Sequence, residues 1–237
     1  NIHTLKNLAP RDIVAREIHQ TLLKTQHPYV YLDISHKKTD WIKNRFPTIY
    51  KHCLNLGIDI TTNPIPVVPA AHYSCGGISV NLNGETSLKR LYAIGEVSCT
   101  GLHGSNRLAS TSLLECLVWG YLAGKNAAND FTQYNIPTIK TWINASEQTD
   151  SALVAQDWLT IKNTMWNYVG LVRTRERLQR AQRVLRNLQH DIEKIYQKAQ
   201  LTPEIIGLRN GIQVAVAITT AALEDRVSRG CHYVESK

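Results

Sequence analysis

Three stretches of the chain combine residue types that can bind and transform a small anion. The first is Pro69-Ala70-Ala71-His72-Tyr73-Ser74-Cys75-Gly76-Gly77, a histidine and a tyrosine in a loop bounded by proline and a glycine pair. Such a loop can project His72 into a cleft while the backbone comes close to a ligand. It reads equally well as a tight turn into a strand with a hydrogen-bonded histidine.

The second runs from Leu91 to Cys116. A short apolar strand, Leu91-Tyr92-Ala93-Ile94, ends in Gly95-Glu96. A loop punctuated by Gly101 and Gly104 follows, carrying His103, Asn106 and Arg107. A helix then opens on Ser110-Thr111-Ser112. The first turn of a helix presents free backbone N–H groups and the positive end of its dipole, so an anionic ligand could sit there. The plainer reading is a connection whose hydroxyls merely cap the helix, but the loop is long and rich in functional side chains for a connector. It carries neither GxGxxG nor GxxxxGK, so it is neither a dinucleotide fingerprint nor a P-loop.

The third stretch is Leu8-Ala9-Pro10-Arg11-Asp12. Taken alone it is a helix N-terminus, with proline in the first turn and an acid behind it. Arg11 is the misfit, because a cation there opposes the helix dipole.

The surrounding elements follow from periodicity. Ile13, Val14, Ile18, Leu22 and Leu23 recur at helical spacing to about Thr25, and Tyr29–Ile34 reads as a short strand. Thr39 can cap a helix holding Trp41, Ile42 and Phe46, and the pattern continues past Pro47 to Gly57. Pro64, Pro66 and Pro69 mark an extended segment. Asn83-Gly84, between Ile78–Leu82 and Leu91–Ile94, predicts a hairpin turn. From Ser112, Leu113, Leu114, Leu117, Val118, Tyr121 and Leu122 predict a helix that fades near Asn126 to Asp130.

Residues 131–150 are polar and read as a linker. Beyond them the chain reads as all-helical. Leu153 to Val169 makes one or two helices. Leu171 to Ala199 makes a long amphipathic one, and about Ile205 to Val227 a last, apolar one.

Composition narrows the function classes. The 237 residues include 27 Lys+Arg against 19 Asp+Glu, a net charge of +8. With 43% hydrophobic and 19% charged residues the chain is globular rather than disordered. Its longest apolar stretch, Gln213 to Leu223, is broken by two threonines, which argues against a membrane partner. Five scattered cysteines without a CxxC argue against zinc and a disulfide framework, so no metal site is expected and the cytoplasm is the expected compartment. The chain opens at Asn1 without Met, directly before a helical segment, as a piece of a longer protein would. Arg173, Arg175, Arg177, Arg180, Arg183 and Arg186 form a basic stripe that could bind nucleic acid. A solvated helix face is the more ordinary reading.

Together these motifs resemble the flavin-dependent succinate dehydrogenase/fumarate reductase family, from about Leu8 to His232. The shared pattern is H-Y-x-x-G-G at His72–Gly77, A-x-G-E at Ala93–Glu96 and H-G-x-N-R at His103–Arg107. Within the family, Cys75, Glu115, Thr100–Gly104 and Ser112–Val118 resemble the branch that oxidises L-aspartate. The dehydrogenases typically carry methionine and aspartate at the first two positions. Ser105 and Thr111 depart from the usual alanine and asparagine.

The resemblance implies an α+β fold from the C-terminal portion of such a flavoprotein. Residues 1–63 would end a capping domain, 64–130 return to the FAD-binding domain, 131–150 link, and 151–237 form an all-α helical tail. It implies FAD as cofactor, L-aspartate as substrate, oxygen or fumarate as oxidant, and quinolinate synthase as consumer of the iminoaspartate formed in NAD biosynthesis. Arg11 matches the proton-transferring arginine. His72 and Arg107 match holders of the substrate carboxylates. Glu96 matches a flavin-bonding glutamate, and Ser112 and Leu113 match backbone contacts to the flavin. His103 is a further candidate. No GxGxxG strand is present, so the chain alone is expected neither to hold FAD tightly nor to turn over. The alternatives are a succinate or fumarate oxidoreductase subunit, and a basic helical module that binds nucleic acid.

Overall fold

A computed structural model describes residues 3–5, 9–129, 137–141 and 145–235 of the chain. Leu8 of the third motif, and residues 130–136 and 142–144 in and beside the expected linker, lie outside the described residues. The chain divides into two units, Asn1–His72 and Tyr73–Lys237.

In the first unit, α1 (Arg11–Thr25) begins after Pro10 and ends at Gln26, which adopts a left-handed conformation. The i,i+4 pair Asp12–Arg16, at 2.8 Å, supports its first turns. β1 (Val30–Leu32) pairs antiparallel with β2 (Ile65–Val67). Pro66 lies opposite Tyr31, and in a two-stranded ribbon a residue without an N–H is tolerated. Between the strands, α2 (Thr39–Arg45) and α3 (Pro47–Asn55) are separated by Phe46. The residue before proline disfavours helical backbone, which breaks what would otherwise be one helix. Ile42, Cys53 and Ile60 are buried at the centre, with Ile34, Tyr50, Ile58 and Ile65 packed around them.

The second unit opens with a pairing that the sequence reading misplaced. Asn83-Gly84 does not join Ile78–Leu82 to Leu91–Ile94. The Asn81 side chain instead accepts from the N–H groups of Asn83 and Glu85, closing a local turn. Glu85 bridges to Tyr92 across the Ser87–Arg90 turn. Freed from a hairpin, β3 (Ile78–Ser79) pairs in parallel with β4 (Ser98–Cys99), which follows a 3₁₀ turn at Gly95–Val97. α4 (Thr111–Asn129) then packs against that turn. One side of α4 is left open: Leu113, Leu114, Leu117 and Tyr121 are all exposed.

The helical tail consists of α5 (Ser151–Val169), α6 (Arg175–Lys198) and α7 (Pro203–Glu224). Each begins with a side-chain cap. Asp150 accepts from the Ala152 N–H, Thr174 from Arg177 and Thr202 from Ile205, which satisfies donors the helix itself cannot. Leu178, Ala181, Leu185 and Ile192 form the buried stripe of α6, against Leu208, Ile212 and Ala215 of α7 and Ile161 of α5. α7 is long and apolar enough to cross a membrane by length and composition. Its stripe from Ile205 to Ala222 is buried, and this is the core of the bundle. Thr219, fully buried there, donates to the Ala215 carbonyl at 2.8 Å.

The basic stripe is partly consumed by the fold. Arg173 precedes α6 and hydrogen-bonds to Val169 and His232, while Arg180 stacks over Tyr168. Ile212 is fully buried at the centre of the bundle, so Ile212→Ala is expected to destabilise the tail by about 2–5 kcal/mol. A fall in the urea midpoint of the α-helical signal without a change in slope would report that loss.

Candidate functional site

The centre of the second unit's site is a carboxylate. Glu115 lies one turn into α4, within the apolar run Leu113–Leu117, and is 1% exposed. A charge in that position needs donors on every side. Its Oε1 accepts from the Thr100 hydroxyl at 2.5 Å, and its Oε2 accepts from the Tyr73 hydroxyl at 2.9 Å and from His103 Nε2 at 2.8 Å. Burial pushes the Glu115 carboxyl up, but these three hydrogen bonds outweigh it and hold the group below its ordinary value. Burial, together with the bond to Glu115, pushes Tyr73 up to about 12, so its hydroxyl remains a donor.

The three donors come from three segments, and each segment carries a candidate residue or its neighbour. Thr100 ends β4. His103 lies in the glycine-punctuated loop. Tyr73 follows His72. Because an ionised carboxylate only accepts, His103 carries its proton on Nε2. The ring of His103 meets that of Tyr73 edge-on, with centroids 5.3 Å apart and planes at 82°. The other surface of the cluster supports Arg107, whose guanidinium carbon lies 4.9 Å from the Tyr73 ring centroid. Arg107 spends one N–H on the Leu108 carbonyl at 3.3 Å. A guanidinium carries five donors, so the planar fork that suits a carboxylate remains largely available.

Glu96 projects from the 3₁₀ turn. One of its oxygens accepts from the Ser74 N–H at 2.9 Å, and the other has no partner among the described residues. Gly77 makes this approach possible. With φ at +148°, a Cβ on it would lie 2.2 Å from the Val97 carbonyl oxygen. Ser112 is partly and Leu113 largely exposed at the start of α4, just after Ser110 at φ 69°. Glu96, Arg107, Ser112 and Leu113 therefore belong to one unit. Arg11 and His72 belong to the other. There Arg11 heads α1 and donates to the Ala9 carbonyl at 2.8 Å, and His72 is exposed.

The sequence reading used Glu115 only to separate two branches of a family. It did not find its role as the common acceptor. The signal was present as a lone acid inside Leu113-Leu114-Glu115-Cys116-Leu117, since a carboxylate in an apolar run needs dedicated partners. Tyr73 and Thr100 were likewise passed over as neighbours of other residues.

The donor set fits a flavin nucleotide. First-turn N–H groups of α4 suit an anionic edge, and the second oxygen of Glu96 suits a hydroxyl or N–H donor. Glycine at position 77 lets two backbones meet in the same wall.

Glu115→Gln exchanges an acceptor for a donor opposite three donors, and is expected to cost about 1.5–3 kcal/mol. The folded-state value of Glu115 lies below its ordinary 4.5. Its contribution is therefore fully present above pH 4.5 and is lost as pH falls through the lower folded value. Urea midpoints across acid pH should consequently fall less steeply in the variant than in the wild-type chain.

Comparison with known proteins supports a flavin cofactor. Residues 4–113 match the FAD binding domain family, and residues 159–236 match the fumarate reductase flavoprotein C-terminal family. The L-aspartate oxidase of Acinetobacter baylyi is 47% identical over 230 residues, covering 95% of this chain and 42% of that protein. The chloroplastic L-aspartate oxidase of Oryza sativa is 41% identical over 244 residues, covering 96% and 38%. Among solved structures, an E. coli quinol fumarate reductase superposes with a TM-score of 0.80 at 29% identity, covering 96% of this chain and 43% of that one. The chain thus spans about two fifths of the length of the relatives it matches. With the two matches following one another along it in the order α+β site, then helical tail, the chain resembles the C-terminal part of a succinate dehydrogenase/fumarate reductase flavoprotein.

Proposed function

We propose that this chain is the C-terminal part of an L-aspartate oxidase, which oxidises L-aspartate to iminoaspartate with oxygen or fumarate as final acceptor. The observation that supports it most is Arg107, held against Tyr73 with most of its N–H donors uncommitted beside a loop anchored by Glu115. The L-aspartate oxidase from Acinetobacter baylyi shares 47% of residues with this chain, against 29% for the fumarate reductase. That contrast favours the amino acid over succinate as substrate. The product would feed quinolinate synthase in NAD biosynthesis. The five cysteines, none of them in a disulfide, suit a reducing compartment, the cytoplasm.

In this reading, Arg107 binds one substrate carboxylate and helps to fix the orientation of the Cα–H bond, and His72, in the other unit, keeps the carboxylate-holding role that the resemblance implies. Bidentate pairing at Arg107 sets the plane of one carboxylate. Arg11 relays the proton lost from the substrate: its guanidinium, already cationic, passes one proton on as another arrives. The first-turn N–H groups at Ser112 and Leu113, with the dipole of α4, stabilise negative charge at the cofactor edge. Glu96 accepts a hydrogen bond from the cofactor. FAD, when bound, supplies the acceptor for the Cα hydride.

The test uses the FAD-loaded flavoprotein that contains this chain. Anaerobic L-aspartate should bleach the flavin band, and succinate should do so far less; the reverse preference would assign the chain to the succinate and fumarate branch. Arg107→Lys should keep its flavin while kcat/KM for L-aspartate falls by about a hundredfold or more. Near-normal turnover by that variant would remove Arg107 from the site.

A further inference from the structure

The loop that carries Arg107 has little structure of its own. Between β4 and α4 its backbone is closed by turns, Gly104 N–H to Gly101 at 3.2 Å and Asn106 N–H to His103 at 3.3 Å. His103 is tied to Glu115. The next two residues, Ser105 and Asn106, are held from the far end of the chain. The Cys231 N–H donates to the Ser105 carbonyl at 2.9 Å, and the Cys231 thiol donates to Asn106 Oδ1 at 3.4 Å. Gly230, at φ +52°, is seated directly on Ser105. A Cβ there would lie 2.3 Å from the Ser105 carbonyl oxygen and 2.7 Å from its hydroxyl.

The C-terminal turn is itself braced. Arg229 and His232 exchange backbone hydrogen bonds of 2.8 and 2.9 Å, and the Ser228 hydroxyl accepts from the Val234 N–H. Arg173 threads behind them. Its N–H donates to the Tyr233 carbonyl and its carbonyl accepts from Glu235. Its guanidinium donates to the Val169 carbonyl at 3.0 Å and to His232 Nδ1 at 2.7 Å. His232 Nε2 lies 3.0 Å from the Asp225 carbonyl. A carbonyl can only accept, so Nε2 carries the proton and Nδ1 is the lone pair that receives Arg173. The ring is thereby fixed in one tautomer between the ends of two tail helices.

We propose that the Ser228–Glu235 turn is a positioning element for substrate binding. It transmits the rigidity of the helical tail, through Arg173 and His232, to Ser105 and Asn106, and so sets where Arg107 presents its guanidinium. This inference rests on the reading of Arg107 as a carboxylate-binding residue. None of the turn's residues is assigned contact with substrate. Arg173 and an otherwise unexplained Gly-Cys-His sequence thereby acquire a common purpose.

Gly230→Ala tests it in the FAD-loaded flavoprotein, because the added methyl must displace the Ser105 carbonyl. KM for L-aspartate, and the dissociation constant of a non-reacting dicarboxylate such as malonate read from the flavin spectrum, should both rise by about tenfold or more. The maximal rate, flavin content and melting temperature should stay near wild type. Amide exchange across residues 101–107 should accelerate. Cys231→Ser, which keeps an N–H and a side-chain donor, should bind dicarboxylate as the wild type does. If Gly230→Ala does not fold, His232→Phe keeps the ring, removes both of its nitrogen bonds and should give the same split. Unchanged dicarboxylate affinity in a folded variant would overturn the proposal. So would a loss of activity that merely follows loss of flavin. Should the wild type bind no dicarboxylate at all, the functional reading fails first; the positioning role then stands or falls on loop exchange, and unchanged exchange would end it.

Discussion

A carboxylate removed from water keeps its charge only if the surrounding chain delivers donors to it, and Glu115 draws three. Each arrives from a different segment: Tyr73 from the loop after His72, Thr100 from the end of β4, and His103 from the loop before α4. Without the carboxylate these segments have short pairings of two residues and a few turns to hold them. With it, they share one acceptor, and movement of any one segment leaves a buried partner unsatisfied. The site is therefore held by a polar hub rather than by an apolar core. Arg107 profits indirectly, since the Tyr73 face on which it stacks is fixed by the hydroxyl at the opposite end of the ring.

The tail is built on the opposite principle. α5, α6 and α7 bury a stripe of aliphatic side chains, each helix begins with its own capping side chain, and the buried Thr219 hydroxyl donates to a carbonyl of its own helix. Such a bundle is held by the packing of each helix on its two neighbours. It is thus a suitable support: a rigid body with one extension, the turn after α7, that reaches the loop of the first kind.

How much of this was legible in the residues depended on the range of the interaction. The tail helices were readable because a 3.6-residue stripe lies within a single segment. α6 and α7 began and ended within a few residues of the expected positions. The Asn83-Gly84 turn was readable as a turn but not as the wrong hairpin, because the side chain of Asn81 and the parallel pairing of β3 with β4 competed for the same backbone. The site's motifs were found by resemblance, while their physical cause was not. Nothing in the spacing of Tyr73, Thr100, His103 and Glu115 says that four residues spread over 43 positions converge on one carboxylate. Only the oddity of an acid in an apolar helical run hinted at it. The link from Cys231 to Asn106, 125 residues away, left no trace in either segment.

That last separation has a consequence for how the protein comes into being. A contact spanning 125 residues closes late, because its loop entropy must be met after the intervening helices have formed. During synthesis, the loop bearing Arg107 leaves the ribosome long before its brace exists. The brace becomes available only when residues 228–235 have emerged. A nascent chain stopped before residue 228 would then carry every side chain of the Arg107 loop yet lack the contacts that hold Ser105 and Asn106, so that the loop comes into register only after the helical tail has been made.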